Sequence, residues 1–109
     1  MDVQEINDTS GVDLTFTTVA AGASETFENG RNVILYIRDT GGISADVTIP
    51  TPISFDGDLE VDDRLIPIEA NDEIMAGPFR DIYEDSDKLI TVQLEDVVDA
   101  EIEIAAIKV

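Results

Sequence analysis

Apolar and polar residues alternate in short runs along most of the chain. Val12, Leu14 and Phe16 alternate with Asp13, Thr15 and Thr17, the two-residue period of a half-buried strand over residues 12–18. Residues 24–27 are a short extended piece, closed by Glu28-Asn29-Gly30, and Asn-Gly is a strong turn signal. In residues 32–38 Val33, Leu35 and Ile37 form one face while Ile34 and Tyr36 make the other apolar too. A strand apolar on both sides is central in its sheet or lies under a loop. Residues 45–49 read as another strand, stopped by Pro50 and Pro52.

The second half continues in the same way. Residues 53–55 are short and extended, 59–64 read as a loop, and 65–68 form a strand whose Pro67 suits a sheet edge. Ile74 and Met75 precede the bend Ala76-Gly77-Pro78-Phe79, and residues 81–87 read as a loop or a single helical turn. Ile90, Val92 and Leu94 alternate, and the chain closes on Ile102 and Ile104 in phase against Glu101 and Glu103. That strict alternation of β-branched residues predicts a strand over residues 101–109 despite Ala105 and Ala106. The first strand is expected to pair near the last. No helical stripe runs for a dozen residues. The pattern therefore predicts an all-β antiparallel β-sandwich, jelly-roll or Ig-like, of about eight short strands. Residues 1–10 read as a flexible polar arm and 11–109 as a single domain.

Composition narrows the chemistry. The 109 residues include 25 acidic and 6 basic side chains, a net charge of −19, with no His and no Cys. Lacking His, the chain lacks the usual general base and metal ligand. Ser10, Ser24, Ser44, Ser54 and Ser86 have no partner that would make them nucleophiles, and neither Lys sits in a Ser-x-x-Lys frame. Carboxylate pairs are inevitable among 25 acids, but glycosidase sites also need aromatic platforms, and the chain has only four Phe and two Tyr. These readings predict a protein that is not an enzyme. The charge repels nucleic acid and anionic membrane surfaces, and the basic residues form no patch. No run approaches the ~20 apolar residues of a spanning helix, and the first residues lack a signal-peptide layout. Many Asp and few Lys around a retained core suit a halophilic setting, where salt screens self-repulsion; an acidic protein of a less saline setting is the alternative.

Calcium is the one ion the sequence makes room for, because it takes oxygen ligands from acidic loops. Acidic clusters occur at Asp56 and Asp58, at Asp62 and Asp63, and at Asp85 and Asp87, the last pair being the candidate metal ligands. The EF-hand pattern is absent, since Glu60 and Gly57 break it. Solvated acidic turns are the competing reading of each cluster. Apart from that possible calcium, no cofactor is expected.

Several segments taken together resemble a known family. They are the opening Gly11-Val12-Asp13-Leu14-Thr15-Phe16-Thr17, Thr26-Phe27 with Gly30-Arg31, and the strand from Val33 to Arg38. Ala76-Gly77-Pro78-Phe79 with Tyr83 and Asp87, and the closing alternating strand, complete the set. Over residues 11–109 the chain resembles the small β-sandwich virion proteins of tailed viruses, encoded beside the major capsid protein in viruses of halophilic archaea and of actinobacteria. The resemblance implies a non-enzymatic capsid decoration or minor capsid subunit on the virion surface. It implies binding to the major capsid protein and an oligomeric state, with a trimer as one form. It carries no residue roles. Phe55 and Tyr83 are the candidate partner anchors, and Phe79 is either a further anchor or a core residue. Two other readings compete: a calcium- or carbohydrate-binding β-sandwich module, and a tail or head–tail connector protein.

Overall fold

A computed structural model describes residues 1–5, 14–30, 32–52, 54–55, 59–60 and 63–108. Its strands are β1 (Val3–Glu5), β2 (Thr17–Ala20), β3 (Ser24–Glu28), β4 (Val33–Asp39), β5 (Ala45–Ile49) and β6 (Ser54–Phe55). They continue as β7 (Leu59–Glu60), β8 (Arg64–Ile68), β9 (Glu73–Ala76), β10 (Leu89–Leu94) and β11 (Glu101–Lys108). One 3₁₀ turn, Asp81–Tyr83, lies between β9 and β10.

The pairing has a simple logic. β2 pairs with β11, β3 with β10, β4 with β9 and β5 with β8, all antiparallel. The chain thus doubles back as one long ribbon whose tip is the β6–β7 hairpin. Successive rungs of the ribbon fall in alternate sheets. One sheet runs β1-β11-β4-β9 with β2 also on β11, and the other runs β3-β10-β5-β8. A ribbon wrapped in this way is the jelly-roll form of the β-sandwich.

The core follows from strand alternation. Val33, Leu35 and Ile37 of β4, Ile102 and Ile104 of β11, and Val19 of β2 point inward from the first sheet. Phe27, Val47, Ile49, Ile66, Ile68, Ile90, Val92 and Leu94 meet them from the second. Leu35, Ile37, Val47, Ile49, Ile90, Val92, Ile102 and Ile104 have no exposed surface. Each such side chain contributes roughly 1.5–3 kcal/mol by leaving water.

Three features depart from the sequence reading, and one edge expectation holds. The expected arm supplies β1, whose Val3, Gln4 and Glu5 pair with Ala106, Ile107 and Lys108 in parallel, so the sandwich is not wholly antiparallel. β11 already gives its other side to β4, and this leaves one edge long enough for β1 and β2 to share. The first expected strand is displaced: Leu14–Phe16 carry no strand and the ladder begins at Thr17. Val19, paired with Ile102, takes the core position, and a one-residue change of phase puts Phe16 on the outer side with Thr18. Within the expected loop 59–64, Leu59–Glu60 form β7. Pro67 lies on β8 at the sheet edge, as its missing N–H requires.

Candidate functional site

Interior chemistry is sparse. Among the described residues Asp39 is the one buried charged side chain, 5% exposed. Its Oδ1 accepts from the Gly42 N–H at 3.1 Å while its Oδ2 has no protein partner. It ends β4 and holds the following turn, which is an Asx-type role.

The richest side-chain cluster lies on the outer side of β4. Strand alternation brings Tyr36 and Arg38 out there beside Glu103 of β11 and Glu73 and Met75 of β9. Phe16 crosses over them. Its ring meets Tyr36 edge-on, centroids 5.6 Å apart, and the Arg38 guanidinium sits 3.6 Å from its centroid. Arg38 also donates from Nε to Glu103 Oε2 at 2.9 Å and pairs with the same oxygen through its terminal nitrogen. The Tyr36 hydroxyl donates to Glu73 Oε2 at 2.6 Å. That bond, with desolvation and the Glu73 charge behind it, raises the Tyr36 pKa above its ordinary 10.0 against the opposing pull of Arg38. The Gln4 side chain exchanges two hydrogen bonds with the Thr15 backbone, 2.7 and 2.8 Å, and so ties this overlying segment to β1. Ala105 and Ile107 point outward by alternation, yet both are buried. They form a thin second apolar layer under this cover.

The residues singled out from sequence do not gather here. Asp85 shapes a turn: its Oδ1 accepts from the N–H groups of Asp87 (2.8 Å) and Leu89 (3.1 Å). Asp87 is exposed. Among the described residues no group of three or more acidic side chains is placed to hold a metal ion. Tyr83 is half-buried, its ring edge-on to Phe79 at 6.3 Å and packed against the core. Phe79 is a core residue, 7% exposed and 5.9 Å from Phe27. Phe55 belongs to β6 and pairs with Leu59, but its side chain lies outside the described residues, as do Asp56, Asp58 and Asp62.

Two open depressions lie among the described residues. One of about 620 Å³ lies beside β1 and is flanked by Asp2, Glu5, Glu28, Asn29 and Lys108. The other, of about 470 Å³, is flanked by Pro52, Glu84, Asp85 and Ser86. Carboxylates line both, and the first also holds Lys108 and the Met1 ammonium.

Sequence reasoning passed over Phe16, Arg38, Glu103 and Met75. The usable signal was the double-sided apolarity of residues 33–38, which required something to cover the outer face. No family model, curated protein or solved structure matches the chain.

Proposed function

We propose that this protein is a non-enzymatic structural subunit of a virion, a decoration or cement protein that binds the major capsid protein shell. The observation that carries the reading is how charge is distributed over the fold. An apolar two-sheet core holds a single buried carboxylate among the described residues, in a chain with 25 acidic side chains. The carboxylates are therefore concentrated on the surface of a rigid scaffold. Such a surface stays soluble in brine, where salt screens it, and contacts other proteins through the areas between its charges. The sequence resemblance supplies the virion setting. The jelly roll is an architecture that viral capsid domains use, though unrelated proteins use it too. Weak contacts repeated over a symmetric shell add through avidity, so a small domain suffices.

Immunogold electron microscopy of intact particles with antibody against this domain tests the reading. Label spread over the head is the expected result. Label confined to the vertex or tail would make it a connector. Unlabelled particles, beside a working antibody control, would overturn the virion assignment.

A further inference from the structure

A β-sandwich ends in open strand edges, each a row of unpaired N–H and C=O groups that invites another strand. The second sheet ends in β3 and β8; the first ends in β9 on one side and, on the other, in the short β1 and β2 that share one edge end to end, so β3, β8 and β9 are the edges of the two main sheets that a single strand forms. On β3 the mid-strand groups are occupied. The Met1 nitrogen donates to the Thr26 carbonyl at 3.0 Å, and the Thr26 N–H donates to Glu25 Oε1 at 3.2 Å. On β8, Pro67 removes a donor. β9 has neither device at its centre.

The hydrogen-bond phase identifies the free groups. Asp39 N–H donates to the Asp72 carbonyl at 2.9 Å, so residues 39 and 72 form a hydrogen-bonded pair at the start of the β4–β9 ladder. Bonded and non-bonded pairs alternate in an antiparallel ladder. Ile74 and Ala76 therefore spend their backbone groups on β4, while those of Glu73 and Met75 face away from it. The Glu73 N–H is taken by Asp72 Oδ1 at 2.9 Å. Met75 keeps both its N–H and its C=O free of any partner among the described residues, and its side chain is 63% exposed on the outer face beside Tyr36. The free backbone and the exposed apolar side chain belong to one residue.

We propose that β9 is a self-association edge, across which two copies of this chain pair antiparallel about a two-fold axis at Met75. An axis at Ile74 would set Ile74 opposite its copy as a non-hydrogen-bonded pair and would join Glu73 to the other copy's Met75, which requires the Glu73 N–H already in use. An axis at Glu73 would set two carboxylates directly opposite each other and would require an N–H already in use. An axis at Met75 lets Met75 and its copy exchange two hydrogen bonds and bring their thioether side chains together. It sets Glu73 opposite Gly77 of the other copy, so the two Glu73 carboxylates are offset by about 13 Å along the strands. Self-complementarity of this kind is what a two-fold interface demands, and it selects a second copy over an unrelated strand. A four-residue edge buries far less than the ~800 Å² per partner of a stable complex, so the dimer is weak and concentration-dependent. Because each copy carries −19, it strengthens with salt. This inference does not depend on the decoration reading.

Sedimentation equilibrium of the full chain, up to roughly 1 mM protein in 0.15 M and about 3 M NaCl, is the test. The expected mass rises from 11.8 kDa toward twice that value, further at high salt. Met75→Pro deletes the free donor without touching the β4 ladder. Met75→Lys places a charge on the edge and serves as the second variant if the proline version fails to fold. Each folded variant is expected to dimerise at least about tenfold more weakly. A monomer under every condition, a trimer mass, or a dimer unchanged in a folded variant would overturn the proposal.

Discussion

The Arg38 guanidinium lies 3.6 Å from the centre of the Phe16 ring, on the side of the sheet that faces away from the core. Arg38 is held at its other edge by Glu103, so one cation joins the overlying segment to two strands. The two strands alone would leave Ala105 and Ile107 at the surface. The ring and its segment lie over that face, and the strand pair is apolar on both sides.

Phe16→Ala should therefore destabilise the domain by about 2 kcal/mol, the sum of lost packing on a half-buried ring and a cation–π contact. Arg38→Lys should cost less, because a cation remains, but should lose the double contact to Glu103. Urea unfolding at fixed salt measures both. A Phe16→Ala midpoint equal to that of the parent would show that the segment does not hold the face.

Gly41 lies where only a glycine fits. A Cβ built there would stand 2.6 Å from the Asp99 carbonyl oxygen and 2.7 Å from the Glu101 nitrogen, both backbone atoms. Gly41 N–H and Thr40 N–H both donate to the Glu101 carbonyl, so this turn is stapled to the start of β11. Gly41→Ala should cost about 1–3 kcal/mol by overpacking. Gly30→Ala, whose Cβ would meet only a Val33 methyl at 3.5 Å, is the matched control and should shift the melting temperature far less.

Strand existence was legible in the sequence because apolar and polar positions alternate along β4, β5, β10 and the first half of β11, and burial follows that alternation there before Ala105 to Ile107 are buried without a break. The edge position of β8 was legible from Pro67. The place of Phe16 was not. Its phase runs continuously from Leu14, and nothing local signals that Val19 will win the core position against Ile102. β1 was hidden for a related reason. Three residues carry too little periodicity to announce a strand, and its parallel pairing depends on the unused end of β11, which is a property of the whole sheet. Tyr83 was singled out as a candidate partner anchor; that its ring lies edge-on to Phe79, after the 3₁₀ turn at Asp81–Tyr83, was not legible in the sequence. The free edge at Met75 depends on hydrogen-bond phase, which a side-chain pattern does not encode.

Tyr36 makes the alkaline side of the stability curve testable. Ionising it breaks its bond to Glu73 and sets two negative charges side by side, so its folded-state pKa lies above the unfolded value near 10. The neutral form is favoured by folding. The stabilisation is complete below about pH 10 and is lost as pH rises through the folded value. In a Tyr83→Phe background Tyr36 is the only tyrosine. Its ultraviolet titration should then have a midpoint above 10, and adding Glu73→Gln should bring the midpoint down. A midpoint unmoved by that change would remove Glu73 as the cause.

The last prediction concerns salt. Among the described residues, side-chain ion pairs are Arg38 with Glu103 and the looser Lys108 with Glu5 at 3.7 Å. Two pairs offset little of a −19 charge, so the folded chain repels itself more than the expanded unfolded chain does. Raising NaCl from low ionic strength to about 1 M shortens the screening length to roughly 3 Å. A gain of about 1 kcal/mol would raise the melting temperature by roughly 4–8 °C. KCl at equal ionic strength should act alike, because screening ignores the identity of the cation. CaCl₂ at matched ionic strength separates screening from binding. Asp85 already gives its Oδ1 to two backbone N–H groups, and Asp87 has no third acidic partner among the described residues. Calcium is therefore expected to follow the sodium curve. A melting shift that saturates at sub-millimolar calcium would instead signal a specific site, since a ligand bound only by the folded state stabilises in proportion to the logarithm of its saturation. Asp87→Asn would then tell whether this turn holds the ion: loss of the calcium increment with the sodium response intact would place it there.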